Sequence, residues 1–161
     1  MNIGTKNIVI LAVAMGLLAS CADPIQERKG LMRSNGGNMK AIGAFLKTGK
    51  GSASDVASRA RKIAGTADMM KGLFPSGTSS KDKPGQTRAK PSIWAKRAIH
   101  NQAEDMAAFN NAADIMSVYA LKLASAADSG DKKAIGAAMG QLGKNGCGGC
   151  HKFFRGPKPK K

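Results

Sequence analysis

Along this chain apolar residues recur by alternate steps of three and four, in four separate stretches. This spacing is the strongest constraint on the fold. Residues three and four apart on an α-helix share a face, so each stretch reads as the buried seam of a helix packed in a bundle. The first seam is Ile25, Arg28, Met32, Asn35, Met39, Ile42 and Leu46. Asp23 serves it as N-cap, Pro24 takes the first helical position, and Thr48-Gly49-Lys50-Gly51 ends it. The second, opened by Ser52 or Ser54, carries Val56, Arg59, Ile63, Ala67, Met70 and Phe74 until Phe74-Pro75-Ser76-Gly77 stops it. The third extends from near Trp94 to Ala127, with Met106, Phe109, Ala113, Met116, Ala120, Leu123 and Ala127 on one face. Ser129-Gly130-Asp131 supplies a stop and a fresh cap. The fourth runs from Lys132 towards Phe154 with Ile135, Met139 and Leu142 inward, and Gly156-Pro157 closes it.

Between the second and third seams the period vanishes. Residues 75–92 hold three prolines and no apolar repeat, so they form a long connection of the kind that is functional or mobile in a small domain. Short, long and short connections between four helices imply an all-α antiparallel four-helix bundle, whose core commonly hosts a cofactor. The 161 residues suffice for one such domain. Its inward faces are thin. Five Phe, one Trp and one Tyr are the only aromatic residues, and Ala, Met and Gly dominate the seams, as if a large flat group completes the core.

Residues 1–22 read as a signal peptide: one positive charge at Lys6, the apolar run Ile8 to Leu18, then small residues. The run is shorter than the roughly 20 residues that a membrane span requires. Ser20-Cys21-Ala22 fits a small-x-small cleavage before Asp23, whereas Leu18-Ala19-Ser20-Cys21 resembles a lipobox that would leave Cys21 acylated and the protein membrane-anchored. The soluble, periplasmic product is preferred, because a helix begins almost at once with Asp23, leaving no flexible tether. Residues 23–161 then form the bundle with a basic C-terminal tail.

Cys147-Gly148-Gly149-Cys150-His151 carries the chemistry. Cys-x-x-Cys-His is the attachment signature of c-type haem. On a helix Cys147, Cys150 and His151 share a face, so both thiols can add across the vinyl groups of one macrocycle as thioethers while the adjacent imidazole reaches the iron as proximal ligand. A zinc site needs four good ligands, and beyond this motif only Cys21 and His100 remain. A redox-active dithiol normally accompanies a strand-helix-strand pattern, which this chain lacks.

With the motif on its last helix, followed by Phe153-Phe154-Arg155, the sequence resembles the class II cytochromes c, the cytochrome c-prime family. Further matching stretches are Arg28 to Met32, Leu73-Phe74-Pro75, Thr87 to Trp94 and Ser129-Gly130-Asp131, so the resemblance covers residues 23–156. It implies one covalent haem c per chain. It also implies that the residue four places after the first-helix arginine, Met32 here, faces the iron opposite His151. A methionine there is similar to the low-spin cytochrome c-556 branch, with Met39 as understudy. His/Met ligation raises the reduction potential and closes the iron to other ligands, which favours electron transfer. The alternative is a five-coordinate, gas-binding protein of the cytochrome c-prime type, taking nitric oxide or carbon monoxide. With no open iron site and no catalytic constellation, the expectation is an electron carrier rather than an enzyme. The resemblance gives Arg28 a haem propionate as partner, while Lys29 stands where the family usually has Gln. Arg155 either shields a propionate or caps the last helix, and Asn35 bonds near the haem edge. Phe153 and Phe154 pack against the haem or the bundle end, Trp94 anchors the long connection, and His100 lies at the surface.

The formal charge is +16, and +15 without residues 1–22. Lys and Arg outnumber Asp and Glu by seven to three over residues 23–60, seven to two over 61–91 and eight to one over 131–161, but stand three to four over 92–130. A basic rim at the haem-bearing end would steer an acidic redox partner. Nucleic acid is excluded by the lack of aromatic stacking platforms and by export. Homodimers occur in the family, but no helix face here reveals a second interface.

Overall fold

The structure, a computed structural model, describes residues 23–95 and 106–158. The leader, His100 and the end of the tail lie outside the described residues. Four rods form an antiparallel bundle, and the capping signals in the sequence set most of their ends. Helix α1 (Pro24–Thr48) starts where the Asp23 carboxylate accepts from the Ile25 N–H at 2.9 Å, and ends at Gly49 with a φ of 73°. That left-handed conformation suits glycine. Helix α2 (Ala53–Lys71) opens on a capping box, in which Ser52 Oγ accepts from the Asp55 N–H and Asp55 accepts from the Ser52 N–H. It stops at Gly72, two residues before Phe74, which is nevertheless buried.

Helix α3 (Met106–Asp128) follows a separate 3₁₀ turn, Pro91–Trp94, after which Ala95 is extended. Trp94, near which the long helix was expected to begin, therefore does not belong to it, and residues 96–105 lie outside the described residues. Asp131 caps α4 (Lys132–Gln141) by accepting from the Lys133 N–H at 2.8 Å. Helical dihedral angles continue through a π-helical stretch, Leu142–Cys147, into α5 (Gly148–Phe154), so these three form the fourth rod. No described helix is long and apolar enough to cross a membrane.

The core divides in two. Toward one end Ile42, Val56, Ile63, Leu123, Ile135 and Leu142 are almost fully buried, among the alanines of α2 and α3. Each such large side chain contributes about 1.5–3 kcal/mol of hydrophobic stabilisation. Toward the other end Met70, Phe74, Ile93, Phe109 and Phe154 form a second cluster. Three phenylalanines and Trp94 thus gather at the end that carries Cys150, while Phe45 and Tyr119 pack on the first cluster.

Within the connection between α2 and α3, residues 78–90 form a hydrogen-bonded strap. The Ser79 hydroxyl and N–H both donate to Asp82, holding its carboxyl below the usual carboxylate range. Ser80 N–H donates to the Ala89 carbonyl at 2.8 Å, closing the loop on itself. The strap is then fastened to the end of α5: Lys90 N–H donates to Phe154 O at 3.0 Å, and Gly156 N–H donates to Arg88 O at 2.7 Å.

Space is tight for anything larger than glycine in the fourth rod where it meets α3. A Cβ on Gly146 would lie 2.9 Å from Leu142 Cδ1 and 3.3 Å from the Met116 Cα, whereas one on Gly140 would meet nothing within 4 Å. We expect Gly146→Ala to destabilise the haem-loaded protein by about 1–3 kcal/mol in chemical denaturation, through overpacking. Gly140→Ala, in the same rod, should stabilise it by up to about 1 kcal/mol through helix propensity.

Candidate haem site

The half-buried Cys147 ends the π-helical stretch, and half-buried Cys150 and His151 follow in α5. All three line one cavity of about 620 Å³ between α1 and the fourth rod. That volume lies within the range of roughly 300–1,000 Å³ common to cofactor pockets. From α1, Arg28, Met32, Asn35 and Met39 reach the same cavity, so the fold brings together every site residue expected from the sequence. Phe109 and Met116 of α3 and Phe154 supply apolar wall, and Gly85 to Ala89 of the strap close one side.

The chemistry of the donors fits a covalently attached haem. Burial raises the Cys147 thiol, and burial with the nearby Cys147 pushes Cys150 up to about 11. Such thiols are the opposite of the low-pKa thiolate that a redox-active Cys-x-x-Cys relies on. Burial, then the charges of Arg155 and Arg88, lower the His151 pKa and so favour the neutral imidazole, the form that binds iron.

Arg28 is 5% exposed, and burial lowers its pKa despite the counteracting charge of Asp23. Its guanidinium donates to Thr78 Oγ1 at 3.2 Å and Thr78 O at 2.9 Å, and it stacks 4.5 Å above the Phe74 ring. Asn35 Nδ2 donates to Thr66 Oγ1 at 2.8 Å, tying α1 to α2 across the cavity wall, while its buried Oδ1 has no partner. Trp94 does anchor the connection, its Nε1–H donating to Phe74 O at 2.7 Å. Phe154 is buried as expected. Phe153 is corrected: it is 41% exposed, its ring beside the Lys152 ammonium rather than in the bundle end.

Two roles were not assigned from the sequence. One is that of Thr78, an isolated threonine in a connection without periodicity. The other is that of Arg88, whose Nε donates to Gly156 O at 2.9 Å and to Pro157 O at 3.0 Å. Only the meeting of two distant segments makes either residue informative.

A four-helix bundle whose last helix presents Cys-x-x-Cys-His to an apolar core cavity defines a c-type haem protein. The family model described as Cytochrome C' matches residues 23–155, and on this evidence the chain belongs to the cytochrome c' family. It is 36% identical to a cytochrome c' of Rhodospirillum rubrum, across 93% of this chain and 98% of that one. It is 31% identical to cytochrome c-556 of Rhodopseudomonas palustris, across 91% and 95%. Among solved structures, a cytochrome c' with ligand-controlled dimer dissociation superposes with a TM-score of 0.68 at 28% identity, across 83% of this chain and 95% of that one. As a family member the chain binds one covalent haem c.

Arg88 generates a direct test. Arg88→Ala should loosen the strap, speeding hydrogen exchange at the Lys90 and Gly156 amides of the haem-loaded protein while the amides of α2 keep their protection.

Proposed function

We propose that this is an exported, periplasmic carrier of single electrons, not an enzyme, in which iron is held between His151 and Met32. The observation that carries this reading is the arrangement of α1: Met32 lies one helical turn after buried Arg28 and lines the cavity that Cys147, Cys150 and His151 line from the fourth rod. The haem supplies the one-electron iron couple. Cys147 and Cys150 hold it through thioethers, His151 gives the proximal nitrogen, and Met32 offers a thioether on a flexible unbranched chain. Arg28 would meet a propionate, whose charge compensates a guanidinium that burial otherwise disfavours. A sixth ligand from the protein raises the potential and shuts the iron to exogenous ligands. The leader pattern of residues 1–22 supports export.

The second reading is a five-coordinate binder of nitric oxide or carbon monoxide. The apolar wall of Phe109, Met116 and Phe154 favours it, because such a wall would accommodate a small neutral gas. Spectra separate the two. We expect the oxidised protein to be low-spin and six-coordinate, Met32→Ala to become high-spin with faster carbon monoxide binding to its reduced form, and Met39→Ala to stay low-spin. A high-spin, five-coordinate spectrum of the unaltered oxidised protein overturns the first reading in favour of the second.

Lys29, Arg33, Arg88 and Arg155 stand around the same cavity, a basic rim for an acidic redox partner. Electron exchange with a small acidic redox protein should slow as salt rises, and Lys29→Glu with Arg33→Glu should slow it further at low salt.

A further inference from the structure

A second cavity is set against α1, apart from the haem site. Met32, Asn35, Gly36 and Met39 of that helix line the haem cavity, whereas Gly37, Lys40, Ala41, Ala44 and Phe45 line a space of about 380 Å³ that Val56 and Arg59 of α2 also line. That size is within the range of small-molecule sites, roughly 300–1,000 Å³. No residue lines both cavities, so the second takes no part in holding the haem.

Its wall has two characters. Val56 is 1% exposed, and Ala41, Ala44 and Phe45 are half-buried, which gives an apolar floor. Lys40 from α1, Lys50 from the turn between the helices and Arg59 from α2 add three cations. A lysine lays its methylene stem over such a floor and keeps its ammonium in water. Gly49 and Gly51, with φ of 73° and 97°, make the tight turn that returns Lys50 to the cavity.

The cations are unbalanced. From Arg28 to Ala60 the chain carries seven Lys and Arg and a single acid, Asp55. Asp55 lines the cavity, but its Oδ2 already accepts from the Ser52 N–H at 3.2 Å and from Ser52 Oγ at 3.0 Å. Among the described residues the ion pairs fall on Arg61 and Lys71, so Lys40, Lys50 and Arg59 have no carboxylate partner. Arg59 donates from Nη1 to Asn38 Oδ1 at 3.3 Å, which uses one N–H of its fork.

Cationic groups over an apolar floor select a ligand that combines both characters. We infer that this cavity binds a small organic anion, a carboxylate or phosphate joined to an apolar body. The body covers Phe45 and Val56, and the anionic end meets Lys40, Lys50 and Arg59, whose planar fork suits paired oxygens. An inorganic anion gains nothing from the floor, and a neutral apolar molecule gains nothing from the cations. The site depends on the fold alone and holds for either reading of the iron.

Calorimetric titration of the haem-loaded protein with phenylbutyrate tests it, beside acetate, which lacks the apolar body, and phenylbutanol, which lacks the charge. We expect one phenylbutyrate per chain, bound at least about tenfold tighter than either comparison and more weakly as salt rises, with the haem absorption spectrum unchanged. Lys40→Glu with Lys50→Glu should weaken binding at least about tenfold, whereas Lys47→Glu with Lys62→Glu, the same charge change on exposed lysines outside the cavity, should alter it less than about twofold. Phenylbutanol binding as tightly as phenylbutyrate, or equal losses in the two double variants, overturns the inference. So does a shifted haem spectrum at saturation, which would put the ligand at the haem. Phosphatidylglycerol vesicles read the other source of such an anion: protein retained on them without any binding of free phenylbutyrate also overturns it.

Discussion

Gly146 of the fourth rod packs against Met116 of α3, beside the cavity that Met116 and Cys147 line. Where a side chain would otherwise hold the helices apart, the Met116 backbone lies within 3.3 Å of the position a Cβ would take. Interiors this dense transmit any displacement to their neighbours. The contact sits one residue before Cys147, at the end of the π-helical stretch. A π turn carries more residues than an α turn and so shifts the azimuth of everything after it, and such turns often mark functional sites. Here the residues after it are Cys150 and His151. The backbone of this stretch carries them to the cavity that they line.

Around that fixed element the molecule separates stabilisation from accommodation. One part of the core is filled mainly with Ile, Leu, Val and Ala, although Ala113 and Met116 of the same cluster also reach the cavity. The other half leaves room, surrounding a large cavity with its aromatic rings and thioethers. A void of that size would be a heavy burden for a small domain if it had no occupant. Covalent attachment resolves this, since a tethered haem cannot leave and acts as a permanent member of the core.

Much of this was legible in the sequence because it is local. Asp23, Ser52 and Asp131 cap helices since short side chains reach the next amides, and Gly49 and Gly130 end helices by taking left-handed backbone. The seams were readable from spacing, and the haem residues from a motif whose five positions are contiguous. Residues acting across long stretches of chain stayed hidden. Arg28 reads as a seam residue, but its partner Thr78 lies fifty residues on, and Arg88 meets carbonyls near the C-terminus. The π-helical stretch left only a cluster of glycines at 143, 146 and 148, a pattern equally consistent with a weak helix. Phe153 was misjudged because two adjacent aromatic residues on a helix point about 100° apart, and only one of them can face inward.

Trp94 gives the fold an internal lamp. It is the single tryptophan of the sequence, pinned by its indole N–H to Phe74 O, with its ring centroid 5.6 Å from that of Phe74 at the cavity wall. A haem in that cavity would absorb where indole emits and so would quench Trp94 in the folded protein. Light returns only when the strap and the second cluster part from the haem, so emission from this one residue separates loss of the haem-bearing half from fraying elsewhere in the bundle.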